Sequence, residues 1–528
     1  MRGWLLLLLL VLPVGVGAEE LYFPYREAGL TREEAAAHLL NRFAYGPRPG
    51  EVDWVARQGL EKWFAEQLRG QLPSPVLDGA LTAVPEESSE WALRERKLLR
   101  AVYDENQLHE VLVDFWFNHF NVSLTDDDCR PFVASYERVA IRPYILGDFR
   151  DMLGATAHHP AMLYYLDNAY SEAAPVPDTV VEGPMDPLGY GPRERRSLKT
   201  QVVTLNPGER KGLNENYARE LMELHTLGVD GGYRQQDVTE VARIFTGWTV
   251  DRKDQVAVFV FRPERHDARS KKVMGTVYQP SGQDEGEKIL DRLSRHASTA
   301  RFVTRKLAVR FVSDNPPRSL TARLEREYLG SGGDLKRVLV ALLESPEFWQ
   351  RSSLRAKVKS PFELTASAIR AVGGKLAPRS GVQPWIEQMG QEVYSCRPPT
   401  GFPDRADHWI NTGNLLNRMN FGMKLASNQI GGVQVDVPAL KTRRNPRTPE
   451  EALRTYAEAL LPGRDVGDTV KTLTPSVLDP NIARKIEAMA AGKKGYPQAT
   501  PGTRVEMSPE TAVSVVGILL GSPEFQRR

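Results

Sequence analysis

The segment richest in side chains able to do acid–base chemistry runs from Asn214 to His225 (NENYARELMELH). On a helix that turns by about 100° per residue, its charged side chains fall on one polar arc. Glu220 and Glu223 are candidates for a general acid and base, and Arg219 and His225 are candidates for electrophilic or orienting groups. The same spacing also fits a solvated Glu-Arg ladder that stabilises the helix without doing chemistry.

A second polar group lies in an aromatic-rich helical stretch, Val111 to Asn121. On the helical wheel His119 lies against the apolar side, while Asn118 faces away together with Asp114. A histidine in that position is typical of a hydrogen-bonded core residue. The fold could also bring His119 to the catalytic group, with Asn118 binding substrate.

Two further places are candidates for substrate binding. Asn214 and Asn216 begin the central polar helix, and His266 with Asp267 lies in a loop after a β-rich segment. Loops on a rigid scaffold often carry binding residues, although a His-Asp pair is also an ordinary polar turn.

The sequence spacing of the histidine and acidic residues does not match the metal-binding motifs considered. A zinc-protease helix needs two histidines at i and i+4, whereas His225 follows Glu220 by five residues and diverges from it around the helix. The loop from Asp230 to Asp237 lies between two helices but lacks the acidic spacing of an EF-hand. We therefore predict no metal or cofactor, with calcium at that loop as the open alternative.

The N-terminal segment and the composition indicate where the protein is located. Residues 1–18, with Arg2, an apolar run and small residues before Glu19, are typical of a secretory signal peptide. The 528 residues carry a formal charge of +2, which gives no indication of a nucleic-acid partner. The mature chain shows no membrane-spanning pattern, so we expect a periplasmic or secreted protein. Cys129 and Cys396, the only two cysteines, could pair or stay free.

Helical periodicity dominates the rest of the chain. Thr31 to Glu34 forms a capping-box pattern at the start of the first helix. We predict a mainly α, multi-helix globular array with long Pro/Gly-rich loops and one small β-hairpin over residues 256–278. Residues 19–375 would form the main helical domain around a central motif at 212–248, and residues 376–528 a helical region packed on it.

These residues resemble a known bacterial family. The stretch from Asn214 to Gly228, Phe245 to Trp248, and Phe115 to His119 closely resemble the family called domain of unknown function 1800 (DUF1800). Further similarity lies at Asn41 to Phe43 with Gly46, Pro160 to Leu163, His266 and Asp267, Lys306 and Leu307, and Lys357 to Glu363. The resemblance implies an exported, predominantly helical protein without an established activity. It also points to a sulfatase-like exported protein as a partner, because genes of this family often lie beside those of such proteins.

Two functions follow as hypotheses. The first is an exported hydrolase acting on cell-envelope or extracellular material through the polar helix 214–225. The second is a non-catalytic periplasmic scaffold or assembly partner of a sulfatase-like exported protein, in which the polar residues form a buried network between helices.

Overall fold

The structure is a computed structural model that describes residues 21–85, 89–173, 212–253, 256–440, 445–482, 484 and 504–528. The predicted signal peptide and almost all of the Pro-rich segment before the central motif lie outside these residues. The described chain is mainly helical with small β-hairpins, as predicted.

Helices build the N-terminal third of the chain. Thr31 caps the first helix through the predicted capping box, in which its side chain accepts from the Glu34 N–H and the Glu34 carboxylate accepts from the Thr31 N–H. The α-helices before residue 120 span Arg32–Phe43, Glu51–Gln58, Leu60–Arg69, Pro75–Thr82, Glu90–Tyr103 and Gln107–His119.

The next region mixes helix types. Short 3₁₀-helices span Arg130–Phe132, Arg142–Tyr144, Asn168–Tyr170, Pro263–Arg265 and Val437–Leu440, and π-helices span Tyr136–Ile141 and Leu221–Thr226. The α-helices there are Val133–Ser135, Phe149–His158, Pro160–Tyr165, Asn216–Glu220 and Gln235–Phe245. A π-helix widens the turn by one residue and is frequent at functional sites, so both π segments bear on the search for a site.

Helices again form most of the second half. They span Gln283–Ser294, Ala297–Phe311, Arg318–Ser331, Leu335–Leu343, Pro346–Trp349, Pro361–Ala371, Gln383–Gln388, Ala406–Trp409, Thr412–Ala426, Pro449–Leu460, Gly467–Leu478 and Pro509–Gly521. One large hydrophobic core runs from Phe23 to Phe525 and includes side chains from both predicted regions. Helix Thr412–Ala426 packs against Pro509–Gly521, where Gly422 and Gly521 allow the backbones to approach closely.

The strands pair differently from the prediction. The prediction paired the segments around 256–261 and 272–278 with each other, but each belongs to its own antiparallel hairpin. Trp248–Lys253 pairs with Val256–Phe261, and Lys271–Val273 pairs with Thr276–Tyr278. In the second hairpin Met274 and Gly275 both have positive φ, as in the type I′ two-residue turn, so this hairpin closes locally. A third pair joins Lys375–Leu376 to Val433–Gln434.

Within the described ranges, no helix combines the length and the apolar character that crossing a membrane would require.

Candidate functional site

The central polar motif is an α-helix that changes into a π-helix. Asn216–Glu220 is α-helical and Leu221–Thr226 is π-helical. The Leu227 N–H donates to the Met222 carbonyl at 2.8 Å, and the Thr226 hydroxyl donates to the Leu221 carbonyl at 2.6 Å, both across five residues. The directions of the side chains after Glu220 therefore differ from those of an ideal α-helix.

Arg219 lies where two helices are joined by polar contacts. Its guanidinium pairs with Glu215 at 3.0 Å and donates to the Gln235 side chain at 2.9 Å. Glu215 also accepts from Gln235 at 2.7 Å and from the Thr239 hydroxyl at 2.6 Å. These contacts join Asn216–Glu220 to Gln235–Phe245 across the glycine-containing turn.

Glu220 and Glu223 are half-buried. Burial and the neighbouring Glu223 raise the pKa of Glu220, while Arg219 lowers it. The Tyr233 hydroxyl donates to the Glu223 carboxylate at 3.4 Å. A raised carboxyl pKa is a property of many general acids, so Glu220 stays a candidate for catalysis, with Glu223 as its neighbour.

Asn214 and Asn216 hold the entry to this helix. The Asn216 N–H donates to the Asn214 side chain at 2.9 Å, and the Asn214 N–H donates to the Ser171 hydroxyl at 3.1 Å. The exposed Asn216 side chain donates to the Asp167 carboxylate at 2.8 Å. Both asparagines thus use polar atoms to fix the local backbone.

His119 and His225 meet inside the core. His119 Nε2 donates to the His225 carbonyl oxygen at 3.0 Å, and the two rings lie 6.3 Å apart. Both residues are at most 2% exposed. Among the described residues, His119 Nδ1 and His225 Nε2 have no hydrogen-bond partner. Burial lowers the pKa of both rings, that of His225 to about 3, and the positive charge of Lys306 adds to the effect.

The buried His225 ring predicts a loss of stability in mild acid. Because its pKa is about 3 in the folded state and about 6.5 when unfolded, only the unfolded chain takes up the proton between these values. The contribution of His225 to the free energy of unfolding is complete above its unfolded-state pKa. It falls as the pH drops towards the folded-state pKa, by about 2 kcal/mol at pH 5. The urea midpoint of the wild type should fall more steeply from pH 7 to pH 5 than that of His225→Leu. Parallel slopes would contradict this.

His266 and Asp267 lie in a buried charge network that connects the loop to a helix. His266 Nδ1 donates to the Thr246 carbonyl at 2.8 Å, and its Nε2 lies 3.2 Å from Glu285. Lys271 Nζ pairs with Glu285 at 2.6 Å and lies 3.2 Å from His266 Nε2.

Asp267 is held by two arginines. Arg243 Nε donates to its carboxylate at 2.9 Å, and Arg269 contacts the same group. Although burial alone would raise the pKa of Asp267, these hydrogen bonds hold it far below its usual range. The sequence correctly placed this pair on a loop, and the structure shows its polar atoms engaged within the protein.

In the loop considered for calcium, the Asp237 carboxylate caps the start of helix Gln235–Phe245. Asp237 accepts from the Arg234 N–H at 2.8 Å and from the Met274 N–H at 2.6 Å. Across the described part of the chain, no group of three or more His, Cys, Asp or Glu side chains is arranged to hold a metal ion.

A polar cleft lies on the other face of the helix that carries His119. Asp114 and Asn118 point into it from Gln107–His119, four residues apart and on one face. Asn118 exchanges two hydrogen bonds of 2.6 Å with the backbone of Phe402, one through each polar atom of its amide. Gly401 permits this contact, since its φ is +71° and a Cβ there would lie 2.2 Å from the Asn118 carbonyl oxygen.

Lys97 is one of two positively charged residues in the lining of the cleft. Its ammonium lies 2.9 Å from Asp114, 3.7 Å from Glu137 and 4.8 Å from the centre of the Tyr394 ring. Burial alone would raise the pKa of Glu137, but Lys97, Arg142 and the Tyr394 hydroxyl lower it to about 2. Glu137 lies in the π-helix Tyr136–Ile141, so a π segment adjoins the cleft.

Arg310 is the second positively charged residue in the lining of the cleft. It is 5% exposed and pairs with Glu363, yet within the described chain its Nε and Nη2 atoms have no hydrogen-bond partner. Although burial alone would lower its pKa, the negative charges of Glu363, Asp404 and Asp114 raise it. Arg310 lines the cleft, and these two buried nitrogen atoms keep unused donor capacity for a ligand oxygen.

The cleft has a volume of about 540 Å³, including the part open to solvent. It combines two carboxylates, two cations, three side-chain amides and several aromatic rings, a composition suited to a ligand with acidic or hydroxyl oxygens. The lining residues are Lys97, Asp114, Phe117, Asn118, Asn121, Arg310, Ser360, Phe362, Gln391, Val393, Tyr394, Phe402, Pro403, Asp404 and Trp409.

Of the residues proposed from the sequence, the structure brings only Asn118 to this cleft. Lys97, Arg310 and Asp404 did not appear among the predicted site residues. For Arg310 a signal existed, because it lies on the inward face of an amphipathic helix, three residues after Leu307. A charged residue on an apolar face indicates either a buried ion pair or a ligand.

Fold and cleft together define a mainly helical protein with a charged, partly aromatic binding cleft between its N-terminal and C-terminal helices. The family model described as Protein of unknown function (DUF1800) matches residues 38–527, so the chain belongs to that family. No curated protein and no solved structure matches the chain.

Proposed function

We propose that this protein is an exported hydrolase that acts on cell-envelope or extracellular material, and that the reaction takes place in the cleft between Asp114 and Asp404. The observation that carries the proposal is Arg310, a buried guanidinium with two unpaired donor atoms that lines the same cleft as these two carboxylates. The predicted signal peptide at residues 1–18 supports export.

The roles of the cleft residues follow from their surroundings. Lys97 pairs with Asp114 at 2.9 Å, so the position of the Asp114 carboxylate is fixed and suited to orient the ligand. Asp404 offers its backbone carbonyl to Lys357, and its half-buried carboxylate is the candidate general base for a water molecule. Arg310 would stabilise negative charge that develops on the oxygen under attack.

The experiment compares two sets of carboxylates. Purified protein is incubated with p-nitrophenyl esters, glycosides, phosphate and sulfate, and with cell-wall glycan, and product release is measured. Loss of turnover in Asp404→Asn supports the cleft as the site of the reaction. Turnover lost instead in the double variant Glu220→Gln and Glu223→Gln assigns the reaction to the helix 214–225. No release from any substrate would contradict a hydrolase.

The alternative is a scaffold or assembly partner of a sulfatase-like exported protein. It draws on a group of exposed apolar residues on and before helix Thr412–Ala426, namely Ile410, Leu415, Leu416 and Met419, which are 38–59% exposed. Contiguous exposed apolar surface is typical of interaction sites.

Leu416→Glu tests the alternative. It should reduce co-purification with the purified sulfatase-like protein, because a charge would be buried in the contact. Leu329→Glu, at an exposed leucine on another helix, is the matched control. Recovery of the wild type only as a free monomer would contradict the scaffold.

A further inference from the structure

A second pocket, separate from the cleft, is lined by three cations. Lys359, Arg464 and Arg527 face it, and its other polar side chains, Asn41 and Ser367, are neutral. Its volume is about 380 Å³, including the part open to solvent. Its remaining lining residues are Gly46, Pro47, Ala371, Ala459, Leu460, Leu461, Pro462 and Phe525.

Lys359 has the least common environment of the three. The residue is 4% exposed, and its ammonium lies 3.9 Å from the centre of the Phe525 ring. Within the described part of the chain, that ammonium makes no hydrogen bond or ion pair with a carboxylate. A buried ammonium without an anionic partner is costly, so such groups are normally paired.

The charges around Lys359 are mostly positive. Burial, followed by the positive charges of Arg464, Arg528 and Arg418, lowers the pKa of Lys359 well below its usual value, and the negative charge of Glu363 opposes this shift. Glu363 is already engaged by Arg310 and by Arg528, the latter at 3.0 Å.

A second cation of the pocket, Arg464, is positioned by backbone carbonyls. Arg464 donates to the Glu524 carbonyl at 2.8 Å and to the Arg527 carbonyl at 3.4 Å, and these two hydrogen bonds hold its guanidinium in place. Glu524 acts on Arg464, but it is not part of the lining.

We propose that this pocket binds a small oxyanion, namely a phosphate, sulfate or carboxylate group, which pairs with the Lys359 ammonium and with Arg464 and Arg527. The neutral Asn41 and Ser367 can contact the remaining oxygens of the anion. The group is either a free ion or the acidic end of a larger molecule, since both present the same oxygens to the cations.

Binding is tested with the full chain by calorimetry and thermal unfolding. Inorganic phosphate, sulfate and acetate are titrated against sodium chloride of equal ionic strength. The wild type should show saturable binding, and Lys359→Met should weaken the affinity about 10- to 100-fold, as expected for loss of a charge-assisted hydrogen bond. Lys375→Met, at an exposed lysine, should leave binding unchanged.

Arg527→Gln provides a second variant at an exposed position where folding is not at risk, and it should also weaken binding. Glucose 6-phosphate and phenyl phosphate identify the source: tighter binding than inorganic phosphate indicates a larger ligand, and weaker binding indicates the free ion. The proposal is overturned if no anion acts beyond sodium chloride, or if Lys359→Met and Arg527→Gln bind like the wild type. The readout needs no turnover, so this pocket and the proposed hydrolase can fail separately.

Discussion

Replacing Lys271 with methionine is expected to destabilise the protein by about 3–5 kcal/mol, because it leaves Glu285 as an unpaired buried charge. The side chains of Lys271 and Glu285 are both fully buried and lie 2.6 Å apart. Although burial alone would raise the pKa of Glu285, its hydrogen bonds with Lys271, Ser281 and His266 lower it. The carboxylate therefore stays ionised and would lose its principal positive partner.

The measurement is the urea midpoint from circular dichroism. Lys272→Met is the matched control, because this neighbouring lysine is exposed on the same strand, and its midpoint should stay close to that of the wild type. The double variant Lys271→Met and Glu285→Leu should recover much of the loss, since an apolar pair of similar volume often replaces a buried ion pair without cost. A midpoint for Lys271→Met equal to that of Lys272→Met would refute the prediction.

Asp404→Asn is expected to lower hydrolytic turnover about 10²- to 10⁴-fold, the range found when a general acid or base is removed. The asparagine keeps the shape of the side chain but cannot accept a proton from water. Since the Asp404 backbone carbonyl, which accepts from Lys357, is retained, the melting temperature should change little. The quantity to measure is kcat/KM on whichever substrate the wild type hydrolyses.

Asp407→Asn is the control for charge, because Asp407 lies three residues further along and its side chain is 62% exposed. Turnover in that variant should match the wild type. Arg310→Lys should retain the positive charge but lose the fork of donors, and so should raise KM as well as lower kcat. Wild-type turnover in Asp404→Asn would exclude Asp404 as the base.

The two predictions separate stability from chemistry. The Lys271–Glu285 pair lies in a closed network in which each charge has protein partners. Loss of this pair is therefore measured as a lower urea midpoint. Arg310 lines an open cleft and keeps two unpaired donor atoms. Replacement of Arg310 or of its neighbours in the cleft is therefore measured as a change in hydrolytic turnover.

Local features of this fold were encoded in short stretches of sequence. The capping box at Thr31 and Glu34 and the helical periodicity were all predicted, because they depend on residues a few positions apart. The shared face of Asp114 and Asn118 was predicted for the same reason. The long motif from Asn214 to Gly228 also allowed the family to be recognised.

The cleft was decided by the tertiary structure. Arg310 and Asp404 are separated by more than ninety positions in the sequence, and Asn118 meets Phe402 only because the chain returns to the end of its helix. No periodicity within one segment can encode such pairs, since they depend on how separate helices pack. The π-helix Leu221–Thr226 likewise altered directions calculated from a repeat of about 3.6 residues. The sequence by itself determined the helices and their polar faces, whereas packing decided which of those faces meet around the cleft.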